Sequence, residues 1–132
     1  SPSYLLQRGT PQHPNELMTH NCMVYSLLSS VSSWELQEQG KKLVVQVQGD
    51  FQANNGDALR QMALQSKGIV FLPIWIVQQD LLAGRLVEVL NEFTPAPLPI
   101  YALYPKDRYM PSKVKCFIEF LKQQLGKVEM LQ

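Results

Sequence analysis

Residues 42–72 read KLVVQVQGDFQANNGDALRQMALQSKGIVFL, and this stretch decides the fold. Leu43, Val45 and Val47 alternate with Val44, Gln46 and Gln48, the period-two pattern of a strand with one buried face, which Gly49 ends. After a loop, Asn54 or Asn55 is placed to cap a helix, with Asp57 in its electropositive first turn. Leu59, Met62 and Ala63 form the apolar face of that helix, and Gly68 stands where a C′ glycine is expected. Ile69 to Leu72 is then a continuous apolar run, as in a strand covered on both faces. Strand, helix, strand in this order predicts an α/β fold with a mostly parallel sheet.

Outward from this centre the signals are shorter. Toward the N-terminus, Ser1 or Ser3 caps a helical turn through Tyr4, Leu5 and Leu6, stopped by Gly9 and Pro11, and Pro14 opens another turn through Met18. Cys22 to Tyr25 reads as a short buried strand, Leu27 to Ser33 as a serine-rich loop, and Trp34 to Leu36 as an extended piece closed at Gly40. Toward the C-terminus, Pro73 opens a short helix, Asp80 caps Leu81 and Leu82 before Gly84, and Arg85 to Leu90 reads as a strand. Asn91 to Pro99 holds Pro95, Pro97 and Pro99 and reads as a linker, followed by an extended Ile100 to Tyr104. Pro111 opens the strongest helix, with Val114, Phe117, Ile118, Leu121 and Leu125 in one apolar stripe and Gly126 as its end.

Composition excludes several function classes. The 132 residues are 45% hydrophobic and 17% charged, which suits one folded domain and not a disordered chain. Twelve basic against eleven acidic residues give a net charge of +1, with a pI near 7.7, so there is no basic footprint for nucleic acid. The longest apolar run, Ile69 to Val77 broken by Pro73, falls short of the roughly twenty residues of a membrane span. The first residues lack the basic and long apolar regions of a signal peptide, so the expectation is a soluble, cytoplasmic chain without membrane attachment.

Candidate chemistry is sparse. His20 and Cys22 have an H-x-C spacing, but a metal site needs three or four ligands and only His13 and Cys116 remain to add. Cys22 lies inside an apolar strand and reads as a small buried residue, not a nucleophile. Glu35 and Glu38, or Glu88 and Glu92, read as solvated faces, and no acid–base pair, phosphate loop or zinc motif is present. The expectation is therefore no catalysis, no cofactor and no metal. The loop Gly49 to Gly56 is different, because it leaves a strand end and enters a helix N-terminus, where an open α/β sheet binds ligands and backbone N–H groups favour an anion. Gln52, Asn54 and Asn55 would supply neutral donors and acceptors, unless an Asn there only caps the helix.

A set of motifs across nearly the whole chain carries a resemblance. They are Ser1-Pro2-Ser3-Tyr4-Leu5 with Gly9-Thr10-Pro11, His20-Asn21-Cys22-Met23, Val45-Gln46-Val47-Gln48-Gly49 and Asn54-Asn55-Gly56-Asp57-Ala58-Leu59. Gly68 to Pro73, Asp80 to Val87, Leu98 to Pro105 and Met110 to Val114 continue the series. In order and spacing the chain resembles the effector-binding domain of LysR-type transcriptional regulators.

The resemblance implies a type 2 periplasmic-binding-protein-like fold, two α/β subdomains around a cleft. Residues 1–99 would be the second subdomain, and residues 100–132 the return crossover strand and C-terminal helix of an incomplete first one. The winged helix-turn-helix that contacts promoter DNA would lie outside this chain. In the family a small effector, often an organic acid, binds between the subdomains. That places Gln52, Ala53, Asn54 and Asn55 on the cleft, with Phe71 and Pro73 as further candidates. Family domains also pair head to tail, which would put Ala58, Leu59 and Met62 at an oligomer interface, and Val114, Phe117, Ile118 and Leu121 would need another apolar surface. The implied function is ligand sensing in a bacterial transcription regulator; the alternative is a solute-binding module of a transport system with the same fold.

Overall fold

The computed structural model describes residues 1–27, 33–95, 101, 103 and 111–127, with side chains in the last helix through residue 124. The chain divides into two compact units, Ser1–Ala96 and Pro97–Gln132.

In the first unit the elements run α1 (Pro2–Arg8), a 3-10 helix (Pro14–Thr19), β1 (Cys22–Tyr25), β2 (Ser33–Glu38), β3 (Lys41–Gln46), β4 (Gln52–Ala53), α2 (Gly56–Leu64), β5 (Ile69–Val70), α3 (Ile74–Leu82) and β6 (Thr94–Pro95). The strands form two three-stranded sheets, ordered β4-β1-β5 and β3-β2-β6. In the first, β1 pairs parallel with both neighbours, Val24 opposite Gln52 and Cys22 opposite Ile69. The second is antiparallel throughout, with Trp34 opposite Val45 and Leu36 opposite Pro95. The parallel pairing expected from sequence thus holds for three of the six strands among the described residues. Gln39 and Gly40, both at positive φ, join β2 to β3 in a two-residue turn, a connection only an antiparallel pair can use.

Burial explains the layering. On β3, Val45 is buried while Val44 and Gln46 are exposed, and buried Val47 continues the pattern. On β1, three consecutive residues are buried, because the strand has a core on each face. Cys22 and Val24 pack with Trp34, Leu36, Val45 and Val47, the inner face of the antiparallel sheet. Met23, between them, packs with Leu59 and Ala63 of α2 and Val77 of α3. The first unit is therefore three layers: antiparallel sheet, parallel sheet, helices.

Gly49 and Gly68 permit this packing at the start of β1. A Cβ on Gly68 would strike the Asn21 carbonyl oxygen, and one on Gly49 would strike the carbonyl of Cys22. Gly68 is accordingly not the helix terminator expected; α2 closes earlier, with Gln65 as its C-cap and Ser66 at φ 61°. The Cβ-less residue is needed for strand approach instead. Two more expectations are corrected. Arg85 to Leu90 is not a strand: it follows α3 as a bend, with the N–H groups of Arg85 and Leu86 both donated to the Asp80 carbonyl. Asp80 is not a cap but lies within α3.

The second unit contains α4 (Ser112–Lys127), which runs through Gly126 instead of stopping there. Val114, Ile118 and Leu121 are half-buried, and Phe117 and Phe120 are 60% and 54% exposed. The extended segment expected at 100–104 lies outside the described residues, Tyr101 and Leu103 apart, as does most of the loop expected at 27–33.

Candidate functional site at the C-terminal edge of the parallel sheet

The three parallel strands end at one edge. Connections leave the central strand β1 toward β4 on one side, and α2 returns the chain to β5 on the other. That reversal is the topological switch point at which open α/β sheets bind ligands. Tyr25, Ala53 and Val70 close the strands, and Asn54–Asn55 and Phe71–Pro73 lead from this edge into α2 and α3.

Gln52 and Ala53, expected in a loop, are strand residues. The Phe51 and Ala53 carbonyls accept from the Val24 and Ser26 N–H groups at 3.1 and 2.9 Å, so only the exposed Gln52 side chain is left to a ligand. Asn55 is the cap of α2: its Oδ1 accepts from the N–H groups of Asp57 at 2.8 Å and Ala58 at 3.3 Å. Asn54 is exposed, and its side chain makes no hydrogen bond with the described residues. Phe71 is half-buried, its ring stacked on Trp34 with centroids 5.4 Å apart. Pro73 precedes α3, whose N-terminus has no side-chain cap. The two helix ends thus differ. The α2 end is capped by Asn55 and already carries the Asp57 carboxylate, whereas α3 has no side-chain cap and no acidic residue in its first turn, its Ile76 N–H being donated to the Pro73 carbonyl at 3.0 Å. An anion at this edge is favoured at α3 over α2.

Behind this edge the helices are tied by a charge cluster that sequence reading missed. Asp80 is fully buried. Its carboxylate accepts from Arg60 Nε of α2, and from Arg85 Nε at 2.8 Å and Nη2 at 2.7 Å. Arg60 also donates to Asp57 at 3.2 Å. The hydrogen bond from Arg60, with that from Arg85, holds the Asp80 carboxyl below the usual carboxylate range, against the burial that would raise it. The sequence signal was there: Asp80 sits three residues after core residue Val77, on a helix face where a charge requires a partner.

Other candidates resolve into packing. Cys22 is wholly buried, its Sγ 3.5 Å from the Leu17 carbonyl, and burial pushes the thiol up to about 12. It is not a nucleophile at neutral pH. His20 Nδ1 lies 3.2 Å from the Tyr4 hydroxyl, which also accepts from the Asn21 N–H at 3.0 Å. Among the described residues no group of three or more His, Cys, Asp or Glu side chains is placed to hold a metal, and no helix is long and apolar enough to cross a membrane. Of the interface candidates on α2, Leu59 is fully buried against the sheet and is not available to a partner, while Ala58 and Met62 remain half-exposed.

A parallel sheet with a strand-order reversal, covered by helices on one face and an antiparallel sheet on the other, defines a three-layer α/β module of the kind that can carry a ligand at that edge. The chain belongs to the LysR substrate binding domain family, whose model matches residues 1–126. It is 34% identical over 127 residues to the HTH-type transcriptional regulator PtxR of Pseudomonas aeruginosa, covering 96% of this chain and 41% of that protein. The regulatory domain of CrgA, a LysR-type transcriptional regulator from Neisseria meningitidis, superimposes with a TM-score of 0.75 at 30% identity, covering 96% of this chain and 62% of that one. Full-length AphB, the Vibrio cholerae virulence activator, gives 0.74 at 34% identity, covering 91% and 41%. The chain spans about two fifths of the length of the curated relatives it matches.

Proposed function

We propose that this chain is the effector-sensing part of a bacterial, cytoplasmic LysR-type transcription regulator, binding a small anionic metabolite at the C-terminal edge of the parallel sheet. The observation that carries the reading is the convergence of three parallel strand ends and two helix entries at the switch point of a family member. Asn54, Gln52 and Asn55 would form one wall, with Ala53 as the strand end between them, and Phe71 and Pro73 would lead to the start of α3, which has no side-chain cap. The effector would act by population shift, binding one arrangement of the regulator better and so changing how promoter DNA is held by a separate DNA-binding domain. In this reading residues 1–99 are one effector subdomain and residues 100–132 belong to the other. Self-association would use Ala58 and Met62 of α2, and Val114, Phe117, Ile118 and Leu121 of α4. The relatives named above are transcriptional regulators, and their names favour this reading over a transport module.

An amide NMR titration with a mixture of citrate, succinate and tartrate tests it. The expected result is saturable shifts at residues 53–57 and 71–76, reduced by Asn54→Ala. Saturable shifts elsewhere, or binding indifferent to Asn54, would overturn the placement. Light scattering at high concentration tests the self-association, which a monomer would contradict.

A further inference from the structure

We propose that the buried Asp80, with Arg60 and Arg85, is a positioning cluster that sets the separation of the two loops feeding the ligand edge. For its purpose this rests on the effector reading; its test needs no effector.

The geometry points this way in three steps. Asp80 is on α3 and Arg60 is on α2, so the bond between them joins one helix to the other, and Arg85 ties in the segment that follows α3. Helices α2 and α3 begin at residues 56 and 74, immediately after Asn54–Asn55 and Phe71–Pro73. A change in their relation therefore moves one loop against the other. Finally, the helices are in apolar contact at the loop end. A Cβ on Gly56 would lie 2.7 Å from Cδ1 of Ile76, so α2 starts against the α3 side chains. The pair is held by close packing at the loop end and by charge further along. A wholly buried carboxylate is an expensive way to fasten two helices that also share an apolar contact. What it adds is direction: the guanidinium–carboxylate contacts restrict the sliding and rotation that apolar side chains tolerate.

Asp80 is the seventh residue of α3, roughly 9 Å along the helix axis from its first. An effect of Asp80 on loop residues is thus transmitted, not a contact. In the 132-residue chain, Asp80→Asn is expected to shift the amide signals of Asn54, Asn55, Phe71 and Leu72 while leaving Leu43 to Val45 in place. Amide exchange at Leu59 and Val77 should rise about tenfold relative to that at Leu36, the pattern of a local opening. Arg85→Lys, at a more exposed position and with the charge kept, should give the same pattern at smaller amplitude and serves if Asp80→Asn does not fold. Shifts confined to residues next to 60, 80 and 85 would overturn the proposal, leaving a tie without a positioning role. A uniform rise in exchange across helices and β2–β3 would overturn it equally, as the mark of a purely global loss of stability.

Discussion

The two ends of the parallel sheet are built in opposite ways. At the N-terminal end, one residue gathers everything. The Asn21 Nδ2 donates to Asp50 Oδ1 and to the Lys67 carbonyl, both at 2.7 Å, and its Oδ1 accepts from the Asp50 N–H at 3.0 Å. The Asn21 carbonyl accepts from the Ile69 N–H at 2.9 Å, and its own N–H is donated to the Tyr4 hydroxyl. Gly49 and Gly68 let three chain segments meet there without side chains between them. At the C-terminal end the strands diverge into helices, Asn54 points no hydrogen bond at the described residues, and α3 starts uncapped. One end is satisfied within the protein, and the other keeps polar capacity unspent. A sheet fastened at one end and open at the other can present a ligand edge without loss of register.

The contrast is broken most severely at the closed end. Gly68→Ala places a Cβ against a backbone oxygen that cannot retreat without losing the Ile69 hydrogen bond. The expected cost is about 3 kcal/mol, a large part of a domain's net stability, and urea denaturation checks it. Next comes the helix layer. Because the folded carboxyl of Asp80 is depressed from 3.8, its stabilisation is complete at neutral pH and is lost as pH falls through the depressed value. The melting temperatures of the wild type and Asp80→Asn should differ by a constant amount above about pH 5 and converge as the pH drops below 4. A gap that does not narrow at all as the pH falls below 4 would show that the effect is not the charge. Smaller again is Asn21→Ala, which removes three partly solvated hydrogen bonds and should cost about 2 kcal/mol by urea denaturation.

Local rules carried the reading of the fold where the partner lies nearby in sequence. The alternation of Leu43, Val45 and Val47, the break at Gly40 and a helix cap at Asn54 or Asn55 are all settled within a few residues, and all are legible. The errors share a different cause. A glycine after a helix can be a C′ residue or a gap for a neighbouring strand, and only the position of Asn21, forty-seven residues earlier, decides for Gly68. An Asp before two leucines looks like a cap until Arg60 from another helix is seen against it. The apolar residues Leu86, Val87 and Leu90 look like a strand, although the backbone there bends back onto Asp80. At the candidate site the loop was located by its asparagines, but the division of labour between Asn55 and Asn54 needed coordinates.

That division provides the finest test of the open end. Asn55 and Asn54 are adjacent and of one chemistry, and each is exposed. Asn55 spends its carboxamide oxygen on two backbone donors of α2, so Asn55→Ala should cost about 1 kcal/mol of stability, as caps do. Asn54 spends nothing on the described fold, so Asn54→Ala should change stability by less than about 0.5 kcal/mol. If the C-terminal edge is a binding edge, the ranking reverses for ligand: Asn54→Ala should weaken acid binding more than its small effect on folding, and Asn55→Ala should act mainly through the helix start. Paired urea curves and titrations of the two variants check both rankings. If Asn54→Ala proved the more destabilising of the two, Asn54 would be a structural residue and the open end would be closed by it.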